Sequence, residues 1–173
     1  MKQLVIGGAR SGKSRFAERA AAAGGKEVVY VATARVLDAE FAARVAAHTE
    51  RRPVEWLTVE APHFLARALR EHDGAGRCLL VDCLTLWLGQ CLIPEMAPAE
   101  GVVWAEQRAL LLETLPELQS EVILVGNEVG MGIVPLGEIN RRFQDESGWL
   151  HQDLAAVCDQ VYFIAAGLPL RLK

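Results

Sequence analysis

Leu4-Val5-Ile6-Gly7-Gly8-Ala9-Arg10-Ser11-Gly12-Lys13-Ser14 is the stretch whose reading decides the fold. A short apolar, β-branched run, Leu4–Ile6, passes straight into Gly7–Ser14, which satisfies G-x-x-x-x-G-K-[ST] in full. Helical spacing begins at Lys13 and closes at Gly24-Gly25, so the motif sits between a predicted strand and a predicted helix. Glycines let such a loop wrap phosphate oxygens with its backbone N–H groups pointing inward, where a Cβ would obstruct. The helix N-terminus adds partial positive charge. In that role Gly7, Gly8, Ala9, Arg10, Ser11 and Gly12 form the cradle, Lys13 reaches the β- and γ-phosphates, and the Ser14 hydroxyl coordinates Mg²⁺. The competing reading, a glycine turn with an incidental lysine, does not account for an eight-residue match in this setting.

Outward from the loop, apolar runs recur at Leu4–Ile6, Val28–Ala32, Leu79–Val81, Val122–Val125 and Val161–Ile164, with a weaker one near Trp56–Val59. Helical spacing is read at Lys13 to Ala23, Asp38 to about Glu50, Pro62 to about His72, and Ala99 to about Gln119. Alternation of strand and helix predicts an α/β fold with a mostly parallel sheet covered on both faces. Pro94–Pro98 reads as a loop within it. At 173 residues the chain is expected to be a single nucleotide-binding catalytic domain spanning 1–173.

A triphosphate loop needs a second metal-side carboxylate. Asp82 closes the buried run Cys78-Leu79-Leu80-Val81, at the carboxyl end of a strand where ligands of open α/β sheets bind. Ser14 and Asp82 are thus the expected Mg²⁺ ligands; alternatively, Asp82 caps a helix beginning at Leu84 or Thr85. His48 shares a helical stripe with Phe41, Arg44 and Val45 and precedes Thr49-Glu50-Arg51-Arg52-Pro53. The stripe alone favours a satisfied histidine at the edge of the core. Arg51 and Arg52 suit forked phosphate contacts, and a largely neutral imidazole could attack phosphorus directly. His63, His72 and His151 lack such neighbours.

Composition excludes other classes. With 51% hydrophobic and 23% charged residues the chain has a core to bury, which argues against disorder and disulfide miniproteins. Eighteen Lys+Arg against 22 Asp+Glu, a net charge of −4, and no dense basic run argue against nucleic-acid partners. Cys78, Cys83, Cys91 and Cys158 match neither a redox pair nor a zinc site and are expected to be reduced. No signal-peptide core follows Met1 and no apolar stretch reaches a membrane span, so a soluble, cytoplasmic protein is expected.

Taken together, the motifs resemble the bifunctional adenosylcobinamide kinase/adenosylcobinamide-phosphate guanylyltransferase family of cobalamin biosynthesis. The landmarks are Gly7–Ser14, Tyr30-Val31-Ala32-Thr33-Ala34, His48 with Arg52-Pro53 and Trp56, Val81-Asp82-Cys83-Leu84-Thr85, Asn127-Glu128-Val129-Gly130-Met131-Gly132-Ile133-Val134-Pro135, and Gly167-Leu168-Pro169. The resemblance implies a three-layer P-loop NTPase fold of RecA-like type and two reactions. ATP or GTP phosphorylates the corrinoid side-chain hydroxyl; GMP from GTP is then transferred onto that phosphate through a covalent intermediate on His48. It also implies nucleotide contacts at Gly7–Ser14, Ala32, Thr33, Ala34, Thr49, Glu50, Arg51, Arg52, Glu60 and Asp82, and a homotrimer. Two departures from the family pattern are Gln144, where Arg is usual before Asp145, and His151, where Asn is usual before Gln152. Glu128 is placed at a strand tip where it could orient a hydroxyl or the metal shell, or equally hydrogen-bond backbone amides. Two other readings stand beside the bifunctional enzyme: a plain small-molecule kinase with a structural His48, and a RecA-like nucleotide-gated assembly protein.

Overall fold

The computed structural model describes residues 1–34, 53–93 and 101–173. The predicted helix from Asp38 to about Glu50 and the loop Pro94–Pro98 lie outside them. Seven strands form one sheet: β1 (Lys2–Gly7), β2 (Glu27–Ala32), β3 (Leu57–Glu60), β4 (Arg77–Asp82), β5 (Glu121–Asn127), β6 (Gln160–Ala165) and β7 (Leu168–Arg171). Their order is β3-β2-β4-β5-β1-β6-β7, parallel throughout except for the antiparallel β6–β7 edge pair. The described helices are α1 (Lys13–Ala23), α2 (Leu65–Glu71), α3 (Leu84–Leu92), α4 (Trp104–Glu117) and α5 (Glu138–Val157).

Strands buried on both faces read as continuous apolar runs, which is why β1, β2, β4 and β5 were legible without alternation. Successive residues nonetheless serve opposite layers. Leu4, Val29, Val31, Leu79, Val81, Val122 and Leu124 join α2 to α5 in the larger core, while Val5, Val28, Tyr30, Leu80, Ile123 and Val125 meet Ala17 and Ala21 of α1 on the other face. Three layers result. The weak run near Trp56–Val59 is the strand β3, shifted slightly to Leu57–Glu60.

The sequence reading did not delimit α5 or β7, and of α3 it gave only the alternative of a helix beginning at Leu84 or Thr85. The edge strand β7 is turned back by Ala166 and Gly167, whose φ values of 50° and 79° fit the two-residue turn that matches the twist of a hairpin. All four cysteines are buried and free, and burial holds their thiols well above the usual range, Cys91 at about 12.

The centre of the larger core is Trp87, fully buried, stacked edge-on against Trp104 at 5.1 Å and donating its indole N–H to the His63 carbonyl at 2.8 Å. Trp87→Ala removes that volume and takes the indole donor away from the carbonyl, so unfolding stability is expected to fall by about 4 kcal/mol. In a thermal melt this corresponds to a drop of roughly 10 °C. Denaturant titration checks it; a loss under about 1 kcal/mol would mean the surrounding helices collapse into the gap.

Candidate functional site

The phosphate loop joins β1 to α1, and its shape is set by contacts that only glycine permits. A Cβ on Gly7 would lie 2.4 Å from the Ile164 carbonyl oxygen of β6. Gly12 adopts φ 97° as the residue before the first turn of α1, with the Gly167 Cα 3.1 Å from where its Cβ would be. Gly167 N–H donates to the Ser11 carbonyl at 2.8 Å, so the β6–β7 turn buttresses the loop from outside. This is the structural reason for the Gly167 landmark. Within the loop, the Ser11 Oγ is buried and has no hydrogen-bond partner among the described residues, a donor free to meet a phosphate oxygen.

Lys13 is buried at 8% exposure, and its ammonium donates to the Gly8 carbonyl at 3.1 Å. Burial pulls its pKa below the ordinary lysine value, while the carboxylate of Asp82 acts in the opposite direction. A cation desolvated in this way gains most from an arriving anion.

The other predicted site residues lie along the carboxyl edge of the sheet. Register pairs Ala32 with both Glu60 and Asp82, so the ends of β3, β2 and β4 present these three residues in a row. Asp82 in turn pairs with Val125, and Asn127 with Gly7, which closes the row onto the phosphate loop through β5. Asp82 is not a helix cap: α3 is preceded by Cys83, and the Asp82 carboxylate accepts the Tyr30 hydroxyl at 3.0 Å. Thr33 is wholly buried; its hydroxyl donates to the Cys83 carbonyl at 2.7 Å and accepts the Cys83 N–H at 2.9 Å. The Gln90 amide donates to the Thr33 carbonyl, so the chain leaving β2 toward Ala34 is pinned to the start of α3. Predicted residues His48, Thr49, Glu50, Arg51 and Arg52 lie outside the described residues.

Ser14, in the first turn of α1, and Asp82 offer one hydroxyl and one carboxylate, hard oxygen donors of the kind Mg²⁺ takes alongside phosphate and water oxygens. That donor set fits the ion.

Residues 3–172 match the family described as cobinamide kinase / cobinamide phosphate guanyltransferase. The chain belongs to this family. A bifunctional adenosylcobalamin biosynthesis protein, CobP, of Pseudomonas aeruginosa is 53% identical over 176 residues, covering 100% of this chain and 98% of that protein. The similarly named CobU of Salmonella typhimurium is 36% identical over 182 residues, covering 100% of both. Among solved structures, the RadB recombinase aligns with a TM-score of 0.50 at 17% identity over 94% of this chain and 73% of that one. The flagellar accessory protein FlaH of Methanocaldococcus jannaschii gives 0.52 at 14% identity over 99% and 77%. These two likenesses establish the RecA-like P-loop fold and nothing finer.

For a member of the cobinamide kinase family, the two departures from its pattern fall close together. Gln144 on α5 donates to the Val129 carbonyl at 3.1 Å, and the His151 ring fills the space beside Gly126, its Nε2 2.6 Å from where a Cβ would stand. Both therefore brace the end of β5. His151 is one of three histidines, with His63 and His72, that sequence reasoning left without surroundings; the signal for it was Gly126, a glycine inside an apolar strand, which marks a close approach. Gln144 also lines a groove of about 270 Å³, together with Val129, Ile133, Pro135, Asn140 and Phe143. Three of its lining residues belong to the Asn127–Pro135 landmark and three to the helix that follows it, so neither element alone showed a groove.

Proposed function

We propose that the protein phosphorylates adenosylcobinamide with ATP or GTP and then transfers GMP from GTP to adenosylcobinamide phosphate, giving adenosylcobinamide-GDP. The observation that carries this reading is the complete phosphate loop aligned with Asp82 at one edge of the sheet, in a chain that is 53% identical end to end to a bifunctional adenosylcobalamin biosynthesis protein. In the first reaction the corrinoid hydroxyl oxygen attacks the γ-phosphorus and the bond to the β-phosphate oxygen breaks. Lys13 and the loop amides hold the departing charge. Ser14 and Asp82 would hold Mg²⁺ when the nucleotide is bound, and the ion would supply charge neutralisation between the phosphates.

In the second reaction a ring nitrogen of His48 attacks the α-phosphorus of GTP and pyrophosphate leaves. An oxygen of the corrinoid phosphate then attacks the same phosphorus, breaking the P–N bond and freeing His48. Thr49, Glu50, Arg51, Arg52, Glu60, Ala32, Thr33 and Ala34 are assigned to nucleotide contacts. The protein is taken to act as a homotrimer in the cytoplasm. Exposed Leu168, Leu170 and Leu172 along the β7 edge support association between copies, and no described helix is long and apolar enough to cross a membrane.

Incubation with GTP labelled in the α-phosphate, followed by alkaline denaturation, tests the reading. Alkali-stable, acid-labile label is expected on the wild type and none on His48→Ala. Equal label on both, or none on either, would overturn the assignment of His48 as the nucleophile.

A further inference from the structure

Strand β5 lies between β4, which ends in Asp82, and β1, which leads into the phosphate loop. Glu128 is the first residue beyond it. Its N–H donates to the Gly7 carbonyl at 3.0 Å, so this carboxylate is stitched to the first residue of the loop that holds the triphosphate. One carboxylate oxygen, Oε1, accepts the Gly130 N–H at 2.5 Å, which fixes the side chain while leaving lone pairs on Oε2. No cationic side chain is paired with Glu128 among the described residues.

The segment is also held rigidly from behind. Asn127 N–H donates to the Thr85 hydroxyl at 2.7 Å, the Gln144 amide donates to the Val129 carbonyl at 3.1 Å, and the His151 ring is wedged against Gly126. Burial lowers the His151 pKa, opposed by the nearby Glu128 charge, so at neutral pH the imidazole is uncharged and does not neutralise that carboxylate. On the outer side the groove lined by Val129, Ile133, Pro135 and Phe143 begins one residue after Glu128.

We infer that Glu128 is the general base of the phosphoryl-transfer step, and that the adjoining groove seats the carbon skeleton around the acceptor hydroxyl; this rests on the kinase reading above. The carboxylate Oε2 takes the hydroxyl proton as the alcohol oxygen bonds to the γ-phosphorus and the bridging P–O bond breaks. The nucleoside diphosphate leaves with the electron pair, and the proton passes from Glu128 to water after product release. A carboxylate held by the backbone, without a salt bridge among the described residues and placed between the metal-side aspartate and the phosphate loop, is positioned for that role.

The test uses the full chain with Mg²⁺, ATP or GTP, and adenosylcobinamide, following phosphorylated corrinoid under steady-state conditions. Glu128→Gln is expected to lower kcat by about a hundredfold or more while the nucleotide dissociation constant changes by less than about threefold. Glu128→Ala is expected to recover part of its rate on addition of formate, which a purely structural carboxylate would not allow. Kinase turnover in Glu128→Gln within about fivefold of wild type, or no formate rescue of a folded Glu128→Ala, would overturn the assignment. A wild type that makes no phosphorylated corrinoid at all overturns the kinase reading itself and this inference with it.

Discussion

Lys13→Ala is expected to lower both the kinase and the guanylylation rates by about a thousandfold, with no loss of folding stability. The two halves of that result come from the same side chain. Lys13 is buried, yet the partner it donates to is the carbonyl of Gly8, a neutral acceptor. A buried ammonium whose hydrogen bond goes to a dipole rather than a full countercharge carries a desolvation cost that the charge of Asp82 only partly offsets, which is why its pKa is pushed down. Removing it therefore relieves a strain on the free protein and removes nothing that holds the core together. A triphosphate supplies the missing countercharge. Preorganised cations aimed at developing phosphate charge are worth about 3–4 kcal/mol each in the transition state, and on the reading above each reaction draws on a triphosphate held by this loop. Rates of corrinoid phosphorylation and of α-phosphate labelling, measured beside a thermal melt, check the expectation. Guanylylation that survived intact would make a shared nucleotide site untenable.

That coupling between an uncomfortable apo site and a charged ligand explains why the site was the most legible part of the sequence. The eight residues Gly7–Ser14 are constrained by backbone sterics and by phosphate geometry at once, so few other residues could stand there. Asp82 was legible for a related reason: an ionisable residue ending an apolar run is conspicuous, and the structure places it beside the row of Ala32 and Glu60. Glu60 itself showed no such signal. It ends a short strand at the sheet edge and becomes conspicuous only when register lines it up with Ala32.

The elements that escaped reading lacked a clean period. In α5 the buried stripe is Ser147, Leu150, His151 and Leu154, two of them polar, so apolar spacing alone dissolves although the 3.6-residue repeat is intact. In α3 the difficulty is reversed. Leu84, Trp87, Leu88, Gly89, Gln90, Cys91 and Leu92 are all buried, leaving almost no polar face to define a period. Strand β7 is exposed along its whole length and carries Pro169, tolerable at a sheet edge because no further strand needs its missing N–H. Its signal was Ala166-Gly167, a turn whose positive φ values show only in three dimensions. The phosphate loop is a single contiguous motif, whereas the groove beside Glu128 draws on residues 129 to 144, part of them on a helix whose polar stripe hid it.

Gly7→Ala carries the other large expectation, and it tests the contact between the phosphate loop and the far edge of the sheet. The added methyl would sit 2.4 Å from the Ile164 carbonyl oxygen and 2.7 Å from the Ser11 Oγ. The first neighbour is backbone and cannot rotate away, so either β1 and β6 separate or the loop lifts off its seat. Separation would strain the register that pairs Gly7 with Ile164 and Gly7 with Asn127. Lifting the loop would break the Gly167 N–H bond to the Ser11 carbonyl and carry Lys13 away from the phosphates. Overpacking of this kind costs about 1–3 kcal/mol, and a loop displaced by even an ångström should weaken GTP binding about a hundredfold. Gly8→Ala is the matched comparison, since nothing lies within 4 Å of a Cβ placed there. Its stability should stay within about 0.5 kcal/mol of wild type. Denaturant midpoints and GTP titrations on the two variants decide the matter: if Gly7→Ala melts and binds GTP as the wild type does, the hairpin does not clamp the loop, and the position of the turn at Gly167 has no bearing on nucleotide binding.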